Sequence, residues 1–213
     1  MAKKTVEEKL TEGRQYRRVV QMEVRAAEDN EMIVEGYATT FNEPYELWRD
    51  SDYVFLEQVD GQAFAETDMS DVIMQYDHEG RVFARTSNGT LRLSVDNHGL
   101  RVTADLGGTE IGRQLYSEIR GGYTDKMSFG FTVDADERLV QEDRETGTVT
   151  VLRTIKRVGK LFDVSAVSLP ANSATVISAR SWCDGVIQQL TEERRKAEAR
   201  ERQRQKIKIM LNI

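Results

Sequence analysis

A chain of 213 residues, 39% hydrophobic and 31% charged, can bury one core and has no apolar run of membrane-spanning length. Its net charge of −6 is uneven, with +3 on residues 1–18, +4 on residues 191–208 and −13 on the rest, which argues against nucleic acid as the main ligand. The opening MAKKTVEEKL lacks the hydrophobic segment of a signal peptide, and the single cysteine, Cys183, permits neither an internal disulfide nor a cysteine-built zinc site, so an intracellular protein without metal or cofactor is expected.

Residues 1–14 are charged and aperiodic and read as a frayed end. Tyr16–Val24 and Met32–Phe41 read as two strands, joined by the turn Ala27-Glu28-Asp29-Asn30 into an antiparallel hairpin. Asn42–Asp52 reads as a loop holding Pro44, Tyr45 and Trp48, mobile or facing a substrate in preference to the alternative that its aromatics join the core. Tyr53–Val59 is extended again, and Asp60–Ala65 reads as a short helical turn.

Val72–Tyr76 is a short apolar strand that runs into Asp77-His78-Glu79-Gly80. A histidine at a strand end beside a glycine turn is either an exposed turn residue or a presented catalytic group; both readings stand at this point. Val82–Arg85 and Thr90–Val95 read as a hairpin around Ser87-Asn88-Gly89. The other histidine, His98, lies in Asn97-His98-Gly99, a tight turn where positive φ is tolerated, and reads as structural.

Thr109–Arg120 has the signature of a helix, with Thr109 as cap, the stripe Ile111, Leu115 and Ile119, and Gly121-Gly122 as stop. The glycines at 107, 108 and 112 lack the Lys-Ser/Thr that a phosphate loop requires. The strand KMSFGF follows. Alternation puts Met127, Phe129, Phe131 and Val133 on a core face and Ser128, Gly130 and Thr132 on a small, polar one. A hydroxyl on a rigid strand with room beside it suits a nucleophile, provided that a base can reach it.

A hairpin, Asp136–Val140 with Thr148–Val158, turns at Glu145-Thr146-Gly147, and Leu161–Leu169 forms a last strand before Pro170. There Asp163 shares a face with Leu161, Ser165, Val167 and Leu169. A carboxylate buried on that face needs a donor. It is either a structural salt-bridge partner or the acid that orients His78 toward Ser128.

Taken together, GYATTFNE, MQYDHEG, the helix leading into KMSFGF, and LFDVSAVSLPANSATV resemble the prohead (capsid maturation) serine proteases of tailed bacteriophages, over roughly Gly36 to Ile177. The resemblance implies a mainly β protein with flanking helices, its antiparallel strands forming a closed or nearly closed β-barrel like that of herpesvirus assemblins. It implies His78 as general base, Ser128 as nucleophile and Asp163 as third member, at a position where relatives often carry Glu. Arg153 and Arg157 precede Asp163 and read as exposed strand charges, although relatives bring an arginine-bearing loop near the oxyanion. An extended substrate is expected to pair beside the Ser128 strand.

The same resemblance implies action inside the assembling prohead in the host cytoplasm, on scaffold protein or the scaffolding segment of the major capsid protein, and on the protease itself. A homodimer is a further possibility that it carries. The organisation expected is a flexible segment at 1–15, the protease barrel at 16–179 and a charged helix at 180–213. That helix, with Ile207, Ile209 and Leu211 near its end, is either solvated or a docking segment trimmed during maturation. Two other classes stay open: a non-catalytic capsid- or scaffold-binding module, and a β-barrel that binds small ligands or peptides.

Overall fold

A computed structural model describes residues 14–21, 31–167 and 173–210. These residues are mainly β with two helices, as expected. The ten described strands divide into two sheets. The larger contains β1 (Gln15–Gln21), β3 (Tyr45–Arg49), β4 (Tyr53–Val59), β5 (Ile73–Tyr76), β6 (Glu79–Arg85), β9 (Lys126–Glu142) and β10 (Val149–Val167). The smaller contains β2 (Ile33–Thr40), β7 (Leu91–Val95) and β8 (Gly99–Asp105), in the order β2-β8-β7.

The long strand β10 organises the larger sheet. β9 runs antiparallel along its whole length. On its other side, residues Val149–Ile155 pair in parallel with β4, and residues Asp163–Ala166 pair in parallel with β5. The change of partner falls where the β9–β10 register slips repeatedly, between Ile155 and Asp163. Such bulges bend a strand and raise its twist, which lets one strand serve two neighbours in succession. The expected separate strand at Leu161–Leu169 is therefore the second half of β10, and Ser168–Pro170 lie outside the described residues.

Alternating burial in β2, β4 and the start of β10 follows the period-two pattern of their sequences. The main core fills the space between the two sheets. Met127, Phe129, Phe131, Met74, Leu100, Val102 and Leu161 are each about 1% exposed or less. Phe129 stacks on Phe131 with ring centroids 4.4 Å apart. Helix α1 (Glu110–Arg120) closes one side of this core with Leu115, Tyr116 and Ile119, and Thr109 caps it by accepting from the Gly112 amide. Ile111, expected in the stripe, is only half-buried. Gly112 lies so close to its neighbour that an added Cβ would stand 2.2 Å from the Leu106 carbonyl oxygen.

Several expected pairings differ. Among the described residues β1 pairs with β9 and β2 with β8, while the turn expected at Ala27–Asn30 lies outside them. β6 pairs with β5 and β7 with β8, so Thr86–Asn88 is a 3-10 turn crossing between sheets and not a hairpin loop. The expected loop at Asn42–Asp52 contains β3, held antiparallel to β4. No continuous hydrogen-bonded ring joins the described strands, so the closed barrel is not seen as such. The sheet edges do approach, with β1 beside β2 and β6 beside β7.

Helix α2 (Ser173–Met210) starts ahead of the boundary expected at 180. Its Cys183 and Val186 pack on Phe55, Val149 and Val151 in a second, smaller core. Beyond this core it is tied to the β9–β10 arm by Arg138 to Gln189 at 3.0 Å and Arg194 to Glu142 at 2.9 Å, and the residues from Thr191 to Lys208 are exposed. No described helix is long and apolar enough to cross a membrane.

Candidate active site

The register of β9 against β10 places Ser128 directly opposite Ser165 and Gly130 directly opposite Asp163. Residues paired across an antiparallel ladder share a face. All four therefore lie on one side of the sheet, with Phe129, Val164 and Ala166 turned into the core on the other. Gly130, opposite Asp163, brings no side chain to this face.

On the far side of β10, β5 runs in register from Ile73 opposite Asp163 to Tyr76 opposite Ala166. The Asp77 amide then donates to the Ala166 carbonyl at 2.9 Å and pins the end of β5 to β10. Tyr76 and Glu79 pair, so the connection to β6 is the two-residue turn Asp77-His78. Both residues have positive φ, 48° and 63°, which is the type I′ arrangement that matches the twist of a hairpin. Asp and His enter this region more readily than most side chains, but it remains strained relative to glycine, and such strain concentrates at working sites.

The turn carries the imidazole between the two strands. His78 Nε2 lies 2.6 Å from Ser128 Oγ, and His78 Nδ1 lies 2.5 Å from Asp163 Oδ1. Ser165 Oγ donates to the same Asp163 oxygen at 2.8 Å. Among the described residues no donor meets Asp163 Oδ2, although it is buried. The side chains of His78 and Asp163 are 3% and 1% exposed, and Ser128 is 3% exposed. Chemically, a carboxylate that accepts from Nδ1–H leaves Nε2 as the acceptor for the serine proton. In a dry pocket both hydrogen bonds are stronger than they would be in water.

The three residues singled out from the sequence, His78, Ser128 and Asp163, thus meet at one place. His98 sits in the β7–β8 turn, edge-on to Tyr37 at 4.6 Å, without the positive φ that its turn would tolerate, which is found at Asn42, Asp77 and His78. Other expectations do not hold. Arg153 is not an exposed strand charge. It is 3% exposed and paired with Glu57 and Asp136, under the ring of Trp182. Arg157 does lie at the surface, near Asp134. Nor can a substrate strand pair beside Ser128 as the chain stands. One edge of β9 there is taken by β1, with Arg18 opposite Ser128, and the other by β10.

Sequence reasoning alone misses Ser165 as a site residue, although its signal is present. It follows Asp163 by two in LFDVSAV, on the same strand face. What the sequence lacks is the register that sets this hydroxyl opposite Ser128.

A sequence model of the family described as caudovirus prohead serine protease matches residues 20–185, more than half of the chain and all four residues of the site. No curated protein and no solved structure matches.

Proposed function

Because the chain belongs to the caudovirus prohead serine protease family, a serine protease of capsid maturation, we propose that Ser128, His78 and Asp163 are its nucleophile, base and orienting acid. The observation that carries this reading is the pair of contacts on one imidazole, 2.6 Å to Ser128 Oγ and 2.5 Å to Asp163 Oδ1. His78 Nε2 takes the Ser128 proton as Oγ attacks the peptide carbonyl carbon. The imidazolium, steadied by Asp163, then gives that proton to the leaving nitrogen as the C–N bond breaks. Water, deprotonated in turn by His78, hydrolyses the acyl-enzyme and restores the serine. The near-complete burial of Ser128 means that a substrate must displace part of what covers it before attack.

The substrates in this reading are scaffold protein or the scaffolding segment of the major capsid protein, and the protease's own chain, inside the assembling prohead. The exposed second half of α2 suits docking or trimming, because its loss would leave the second core intact. The reading also retains a nearly closed barrel of the assemblin kind, supported by the approach of β1 to β2 and of β6 to β7.

The test is covalent. A fluorophosphonate should label Ser128 in the wild-type chain, and labelling should vanish in His78→Ala. Co-expression with the capsid protein, followed by mass spectrometry of new chain ends, identifies the bonds cut. A Ser128→Ala variant that still trims the capsid protein would overturn the assignment in favour of another nucleophile.

A further inference from the structure

At the tip of the β5–β6 hairpin the main core opens to solvent in a groove of about 660 Å³, bounded by the hairpin on one side and α1 on the other. This volume is in the range of sites that bind ligands, roughly 300–1,000 Å³. Its floor is apolar: Tyr76 and Phe83 from the hairpin and Leu115 from α1. Its rim is acidic. Glu79 from the hairpin and Glu118 from α1 both line it and are both exposed, with Arg81 as the cation among the lining residues.

We propose that this groove is the subsite for the substrate residues that follow the scissile bond, and that it takes a large apolar side chain next to a lysine or arginine. The inference rests on the reading of His78 as the base. In that reaction Nε2 hands its proton to the leaving nitrogen, so the half of the substrate that departs lies on the histidine's side. The groove wall begins at Asp77 and Glu79, the residues on either side of His78 in the turn. An extended chain advances about 3.3 Å per residue and the turn is two residues wide, so a few residues past the cut suffice to cross the tip toward the opening. The floor would bury the apolar side chain, and the carboxylates of Glu79 and Glu118 would favour a cation beside it. A long basic side chain suits both at once, with its stem on Phe83 and its head at the rim.

The experiment uses the full chain and a proteome-derived peptide library, with mass spectrometry of the new N-termini. In the wild type, the first three or four residues after the cut should be enriched in an apolar residue adjoining Lys or Arg. Glu118→Lys and Glu79→Lys, both at exposed positions, should each lower the ratio of basic to acidic residues there about fivefold, the scale expected for surface charge pairs. The ratio is internal to each digest, so a variant that folds in lower yield still reports it. A wild-type profile without bias after the cut, or a bias that survives both reversals, overturns the groove. Labelling of wild-type Ser128 by a fluorophosphonate separates the two readings: a labelled, active chain lacking the bias rejects the groove alone, whereas cleavage with Ser128 unlabelled rejects the triad and the groove with it.

Discussion

Ser165 Oγ donates a 2.8 Å hydrogen bond to Asp163 Oδ1, the oxygen that also meets His78 Nδ1. Ser165 is wholly buried, two residues along β10 from the carboxylate, so this bond fixes the acid's rotamer from within its own strand. Removing a hydrogen bond to a charged group inside a protein costs about 1.5–3 kcal/mol. Ser165→Ala should therefore lower kcat by roughly tenfold or more, with KM little changed, because the hydroxyl orients the acid and does not touch substrate. In an Asp163→Asn background the same change should have almost no further effect. A KM-dominated loss, or full additivity in the double mutant, would make Ser165 merely structural.

Asp163→Asn keeps the shape of the buried side chain and removes its charge. The amide can present its NH₂ to Nδ1, which favours the tautomer with the proton on Nε2, where it can no longer accept from Ser128. A loss of roughly 10³–10⁴ in kcat is expected, with a thermal midpoint close to that of the wild type. Ser128→Ala should abolish turnover and labelling while leaving the far-UV circular dichroism unchanged, since only one hydroxyl is lost from a small, buried side chain. Wild-type turnover in Asp163→Asn would reduce the carboxylate to a structural partner.

The strand around Ser128 is legible in the sequence because its alternation is strict: Met127, Phe129 and Phe131 are all in the core and Ser128 is on the opposite face. Asp163 stands out for the same reason, a charge on an apolar strand face. The pairings are not legible, because β10 changes partner from β4 to β5 across a stretch of bulges whose residues carry no periodic signal. The burial of Arg153 is hidden because its strand supplies no hint of Glu57, which lies 96 residues away. Positive φ, which a tight turn tolerates at either histidine, occurs at His78; both lie in tight turns, and only pairing geometry distinguishes a two-residue I′ loop from a wider one.

Gly112 tests how closely α1 must approach the core. A Cβ there would meet the Leu106 carbonyl oxygen at 2.2 Å, with Thr109 Oγ1 at 3.1 Å, and backbone cannot rotate away as a side chain can. Alanine's better helix propensity, worth about 1 kcal/mol, is outweighed by overpacking of about 1–3 kcal/mol. Gly112→Ala should lower the thermal midpoint and shift the wall of the groove beside Leu115. Differential scanning calorimetry measures the first. Unchanged or raised stability would mean that the helix yields at that point without penalty.

Acid stability should depend on a carboxylate outside the triad, Asp68. Asp68 accepts from the Ser70 hydroxyl and amide and pairs with Lys160 at 3.0 Å, and these partners hold its pKa well below the usual carboxylate range. In the unfolded chain the group returns to about 3.9. Its contribution is thus complete above that value and is lost as pH falls toward the depressed folded one. Tm of the wild type should fall as pH is lowered below about 4, and Asp68→Asn should flatten that part of the curve while leaving the neutral-pH activity intact. Parallel curves for the two proteins would show that other acids, such as Asp60 or Asp71, carry the effect.

The turn at His78 sets backbone strain against hydrogen bonding, and a double-mutant cycle separates them. Position 78, at φ 63°, suits glycine in a type I′ turn, so His78→Gly should recover about 1–2 kcal/mol of backbone strain. The same change strips Asp163 of its Nδ1 donor and leaves a carboxylate that is 1% exposed with Ser165 as its remaining partner. Removing one partner of a buried charge costs about 3–5 kcal/mol, more than the strain recovered. His78→Gly should therefore be destabilised in urea, although its turn is better. With Asp163→Val added, the buried charge is gone and the relief of strain should show as a net recovery of stability. If His78→Gly alone proves more stable than the wild type, the contact between imidazole and carboxylate contributes little to the fold, and the left-handed turn at residue 78 is held in place by catalysis only.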